Sequence, residues 1–168
     1  HLVREQARAL AIGTCLVATT GGATALKALE ALAGLRLVVV SHCAGFAEGV
    51  PQELPAQTRR RLEQAGAAVL TATHALGGVG RAVRLRFGTY QLEELVAQTL
   101  RLFGQGTKVA VEISLMAADA GLIAPGEPVI SVGGTREGAD TALVLLPANT
   151  HRLFDLKVRQ VLCKPGSW

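Results

Sequence analysis

The sequence predicts an α/β fold: a three-layer sandwich with a mostly parallel sheet, completed by a C-terminal antiparallel hairpin. Three observations predict it. Short β-rich runs alternate with segments whose apolar residues recur at helical spacing, the pattern of helices laid on both faces of a sheet. The first such run, Thr14 to Ala18, is apolar nearly throughout, as strands buried on both faces are. The last apolar runs but one, Val129 to Val132 and Thr141 to Leu146, are joined by eight residues, which suits a hairpin better than a parallel crossover.

Taken in order, Val3 to Leu10 reads as a helix stopped before Gly13, and Thr14 to Ala18 as the first strand. From Gly22, the residues Ala25, Leu26, Ala28, Leu29, Leu32 and Ala33 keep helical spacing until Gly34 ends the helix. Leu35 to Ser41 is the second strand. Pro51 and Pro55 punctuate a loop into an Arg-rich helix, Gln57 to Gln64, and Ala67 to Thr71 is the third strand. Gly77 to Gly80 reads as a flexible glycine loop. Thr89 is the expected N-cap of a helix burying Leu92, Leu95, Val96, Thr99, Leu100 and Phe103, with its stop at Gly104 or Gly106. Lys108 to Ile113 alternates as a fourth strand and Ser114 to Ala120 as a short helix. Lys157 to Cys163 is a final strand at an edge, and the tail from Pro165 to Trp168 is expected to fray.

At 168 residues, 49% apolar and 18% charged, the chain suits a single domain, residues 1–168, too small for a barrel enzyme and too apolar for disorder. No apolar run approaches the roughly 20 residues that span a bilayer, and the N-terminus lacks the pattern of a secretory signal, so no membrane partner is expected. Seventeen basic residues, thirteen of them Arg, exceed thirteen acidic ones by four. Six scattered aromatics make no stacking platform, so phosphorylated small molecules suit this balance better than nucleic acid. Cys15, Cys43 and Cys163 are odd in number with no CxxC, which excludes a disulfide framework and a tetrathiolate zinc site. A reducing cytoplasmic setting is the expectation.

The sharpest local signal is Ala18-Thr-Thr-Gly-Gly-Ala-Thr24, where a buried strand turns through hydroxyls and glycines into a helix. Unpaired N–H groups and positive partial charge at a helix N-terminus attract phosphate, and glycine lets it approach the backbone. An ordinary capped turn stays open beside that reading. It is no Walker loop, since no Gly-Lys-Ser/Thr follows, and Gly78-Val-Gly80 lacks the third glycine of a dinucleotide fingerprint. Arg81, Arg84 and Arg86 form either an anion clamp or a solvated face, and Arg59 to Arg61 fan around a helix. Ligands of open parallel sheets collect at the C-terminal strand ends, here Thr19 and Thr20, Ser41 to Gly45, Thr73 and His74, and Glu112. A His42–Cys43 nucleophile pair and a His42, His74, Glu112 metal site are both conceivable there, but neighbouring residues of a strand face apart and three loops would have to converge. Unremarkable loop histidines are the simpler reading.

Together the strings ATTGGATALKALE, VVVSHCAGF, LFGQGTKVAVEISLMAADAG and VGGTREGADTALVLLPA resemble the C-terminal, effector-binding domain of pyruvate kinase. They resemble still more closely the stand-alone, uncharacterised family of pyruvate-kinase C-terminal-domain-like proteins. The resemblance implies the three-layer fold and flavin mononucleotide (FMN) as a ligand. It implies no kinase reaction, which belongs to a separate barrel domain. Carried over by position, Thr19, Thr20, Gly21, Gly22, Ala23 and Thr24 would receive the phosphate, with Gly133, Gly134 and Arg136 of the second glycine loop opposite. Ser41, His42, Gly45 and Phe46 would line the pocket, and Glu112, Met116 and Asp140 its walls. Family members begin with a further strand and an Asn- and Pro-Gly-bearing loop, so this chain is expected to start inside their first helix. Three functions stay open: a ligand-binding domain, a flavin-dependent oxidoreductase using His42, Cys43 or Glu112, and an interaction module forming a homo-oligomer through the strand at Lys157 to Cys163.

Overall fold

A computed structural model describes residues 1–167 and contains one six-stranded sheet with the order β3-β2-β1-β4-β5-β6. Its strands are β1 (Thr14–Thr19), β2 (Arg36–Ser41), β3 (Ala68–Thr71), β4 (Val129–Gly133), β5 (Thr141–Leu146) and β6 (Lys157–Cys163). The first four run parallel, with β1 between β2 and β4. β5 and β6 return antiparallel, β4–β5 being the expected hairpin. The expected fraying of the tail reaches Trp168, which lies outside the described residues.

Alternation of side chains along buried strands gives the sheet two apolar faces, and each is covered by helices. On one face Cys15, Val17, Leu37 and Val39 pack with Ala7 of α1 (Leu2–Ala9), Ala25 of α2 (Ala23–Ala31) and Leu62 of α3 (Ala56–Gln64). On the other, Leu16, Val38, Val40, Leu143 and Leu145 meet Ala97 of α5 (Leu92–Arg101) and a run from Ala110 to Ala118 of α6 (Gln105–Asp119). The predicted three layers are present.

Two expected elements differ. Lys108 to Ile113 is no strand: it lies within α6, a single 15-residue helix that absorbs the expected short helix at Ser114. Val109, Val111 and Ile113 alternate with other residues as they would in a strand, and burial nearly all round α6 erases the amphipathic stripe that would have signalled a helix. Gly77 to Gly80 leads directly into α4 (Gly78–Phe87), where Gly80 is the buried residue because Glu93 of α5 lies against its Cα. The α5 face also differs. Leu92 and Leu95 point outward, and Glu94 and Ala97 are buried instead. α5 begins after Gln91 rather than Thr89, and Gly104 caps the start of α6.

The cysteines divide by depth, with Cys15 buried, Cys43 half-buried and Cys163 exposed. Burial pushes the Cys15 thiol up to about 12. Because the thiolate is the reactive form, a disulfide-exchange reagent should label Cys163 first and Cys43 more slowly, and should leave Cys15 unmodified until the chain is unfolded. Mass spectrometry of the labelled peptides would check the order.

Candidate functional site

Strand β1 has β2 on one side and β4 on the other, so the chain reverses its direction of growth beside β1. In open α/β sheets the ligand crevice opens at that reversal, beyond the C-terminal strand ends. A cleft of about 770 Å³ lies there. Its floor is Ala18, Thr19, Val40 and Ser41 from the ends of β1 and β2, and one wall is the turn into α2. The opposite wall is α6, through Lys108, Glu112 and Met116, and the β4–β5 loop reaches over with Gly134 and Arg136.

The α2 end of the cleft has free hydrogen-bonding capacity. No side chain caps α2, whose N-cap is Gly22 at φ 97°, leaving the first-turn N–H groups without a capping acceptor. Thr19 Oγ1 is buried without a hydrogen-bond partner, the one such side-chain atom among the described residues. An orphaned buried hydroxyl costs roughly 1–3 kcal/mol, which a bound acceptor would recover.

The middle of the cleft is aromatic and titratable. The rings of His42, Phe46 and His74 gather with centroids 4.2, 4.7 and 5.3 Å apart, and the Arg81 guanidinium lies 4.8 Å from the Phe46 centroid. His42 Nδ1–H donates to Glu53 Oε2 at 2.7 Å, which fixes the ring and leaves Nε2 free. Burial holds His74 below its ordinary value against the attraction of Glu112, with His42, Lys108 and Arg81 adding to the lowering.

Glu112 takes the Leu76 N–H at 3.0 Å and, one turn along α6, the ammonium of Lys108. Both side chains of that pair are buried. Burial lowers the Lys108 pKa from its ordinary value; Glu112 opposes this, while Arg101 and Arg81 add to it. The Lys108–Glu112 pair therefore ties α6 to the segment after β3 and places fixed charge under the cleft.

Of the residues singled out from sequence, Thr19, Thr20, Gly21, Ala23, Thr24, Ser41, His42, Phe46, Glu112, Met116, Gly134 and Arg136 line this cleft. Glu112 reaches it from a helix rather than from a strand end. Four others lie behind it. Gly22 adopts the left-handed turn and packs on Thr58, and Gly45 turns the β2–α3 loop at φ 68°. Gly133 presses against the backbone of α6, and Asp140 accepts hydrogen bonds from Thr135 at 2.5 Å and Thr141 at 2.7 Å, holding the second glycine loop in shape.

Cys43 is not among the residues lining the cleft. Among the described residues no three His, Cys, Asp or Glu side chains are placed to hold a metal. His42 is engaged by Glu53, and Glu112 by Lys108 and Leu76. Of the arginine run, Arg81 alone lines the cleft; Arg84 is spent on Glu94, its Nε–H shared between the two carboxylate oxygens at 3.0 Å each.

Glu53, Arg101 and Gln105 line the cleft without having been expected there. The i,i+4 spacing of Lys108 and Glu112 was the available clue, because it makes an ion pair only on a helix.

Residues 1–145 match the family model described as the pyruvate kinase alpha/beta domain. Among solved structures, the pyruvate kinase of Cryptosporidium parvum in complex with ADP is similar at 17% identity with a TM-score of 0.38. That match covers 84% of this chain and 21% of the kinase chain, so this chain spans about a fifth of the length of that enzyme. Among the described residues no helix is long and apolar enough to cross a membrane.

Proposed function

Since the chain belongs to the pyruvate kinase alpha/beta domain family, we propose that its cleft is a binding site for a phosphorylated small molecule. The phosphate is held at the N-terminus of α2. The observation that carries this is the buried Thr19 hydroxyl, unpartnered beside an uncapped helix start. A phosphate there accepts from Thr19, from the Thr20 and Thr24 hydroxyls and from first-turn N–H groups, with Arg136 in reach from the opposite loop.

FMN is the ligand we propose within this class. Its phosphate matches that donor set. The His42, Phe46 and His74 rings offer the planar isoalloxazine a stacking surface, and about 770 Å³ falls in the range of cofactor sites. Bound there, FMN would bring redox chemistry, while the residues of the chain bind and orient it.

Titration of FMN followed by flavin fluorescence tests the reading. Saturable quenching is expected, weaker for riboflavin, which shares the ring but lacks the phosphate. Thr19→Val should weaken FMN binding by about tenfold, and Arg136→Ala by on the order of 10- to 100-fold, the range for hydrogen bonds to a charged group. Absence of saturable binding by FMN, together with absence of protection by inorganic phosphate against thermal unfolding, would sink the proposal.

A further inference from the structure

We propose that the cleft holds a second oxyanion, a phosphate or a carboxylate, on its α6 side between the guanidinium groups of Arg81 and Arg101. This rests on the function proposed above in one respect: the first anion is the phosphate at the start of α2.

Three cations from three helices line this one cleft, Arg81 from α4, Arg101 from the last turn of α5 and Lys108 from near the start of α6. Lys108 is spent on Glu112, but the two arginines have no counter-ion. Arg59, Arg84 and Arg152 each pair with a carboxylate, whereas among the described residues Arg81 and Arg101 pair with none. The remaining acids of the cleft do not serve them: Glu53 is held by His42, and Glu137 is exposed and makes no ion pair among the described residues.

What holds the two arginines is neutral. The Arg81 guanidinium rests against the Phe46 ring, and Arg101 Nε–H donates to Gln105 Oε1 at 2.7 Å. Each guanidinium carries five N–H donors, so these contacts steer the side chains and leave most of their donors free, along with the amide nitrogen of Gln105. Both arginines are half-buried, where charges act on one another more strongly than in open water. Their effect reaches Lys108: the positive charges of Arg101 and Arg81 add to burial in holding its pKa below the ordinary value. Like charges gathered without a counter-ion favour an anion between them, and the guanidinium fork matches the oxygens of a phosphate or carboxylate. The position is separate from the first, which is built from the end of β1 and the turn into α2.

Titration of inorganic phosphate at constant ionic strength, followed by nitrogen-15 NMR, tests this. The Arg81 and Arg101 Nε–H signals and the Gln105 side-chain amide should shift together and saturate, on an isotherm separate from that of the backbone amides at the start of α2. Arg81→Gln should weaken the first isotherm by about 10- to 100-fold, the range for a lost hydrogen bond to a charged group, and leave the α2 isotherm in place. Arg86→Gln, at an exposed arginine of α4 outside the cleft, should change neither. Circular dichroism verifies folding, and should Arg81→Gln fail to fold, Arg101→Gln gives the same reading. Repeating the titration on FMN-saturated protein separates two sources: phosphate that still shifts the arginines stands for a separate anionic molecule, and phosphate displaced from both positions means that one ligand spans them. Saturating shifts at the arginines with none at α2 would sink the α2 placement and keep this one. Shifts at α2 alone, or arginine shifts no larger than those of Arg86, overturn the second position and leave the first standing.

Discussion

Glu112→Leu is expected to destabilise the fold by about 3–5 kcal/mol, the cost of leaving a buried charge without its partner. The variant strips Lys108 of its counter-ion and also leaves the Leu76 N–H without an acceptor. Urea unfolding would measure the loss. The double variant Lys108→Met/Glu112→Leu should regain most of it, because a packed apolar pair often replaces a buried ion pair at little net cost. The pH dependence has a definite sign. The Lys108 pKa is lowered in the folded chain from its ordinary 10.5, so between the folded value and 10.5 the unfolded chain binds more protons and stability rises with pH. Removing Glu112, whose charge opposes that lowering, should extend the window to lower pH and make Glu112→Leu recover more as the solution becomes alkaline. A loss below about 1 kcal/mol would mean that water entering the cleft already solvates Lys108.

Gly133→Ala is expected to cost about 1–3 kcal/mol by overpacking and to weaken ligand binding at the same time. A methyl at Gly133 would overlap the Gly106 carbonyl and lie 3.0 Å from the Ala110 nitrogen and 3.1 Å from the Val109 Cβ. Two of these neighbours are helix backbone, which cannot rotate aside, so α6 must move off the sheet and carry its cleft wall with it. Ser131 fastens the same contact by donating to the Ala110 carbonyl at 2.7 Å. Gly13→Ala, where an added Cβ meets nothing within 4 Å, should be close to neutral. Equal unfolding midpoints for the two variants would refute the close-packing account.

All six strands and the turn at Thr19 to Thr24 were legible because their signals are local, and the one false strand, Lys108 to Ile113, was an addition to them. Thr14 to Ala18 is apolar nearly throughout, Gly34 stops a helix, and Thr-Thr-Gly-Gly marks the turn after a buried strand. Most of the residues assigned to the pocket line the cleft for the same reason, since strand ends and their turns follow from the strands. The glycine assignments divide, because a glycine that touches a ligand and one that admits a neighbouring helix look alike in sequence; Gly133 and Gly22 are of the second kind.

The amino-acid sequence by itself determined the alternation of elements, the C-terminal hairpin and the turn at Thr19 to Thr24. Tertiary structure decided that Lys108 to Ile113 is helical, since burial on nearly every side removes the periodicity that distinguishes a helix from a strand. It alone brought Arg81, Arg101 and Lys108 to a cleft floored by Thr19, and paired His42 with Glu53 across eleven positions. Those contacts follow from the order in which strands pair, with β4 crossing to the far side of β1, and pairing order is a global choice that no local run of residues encodes.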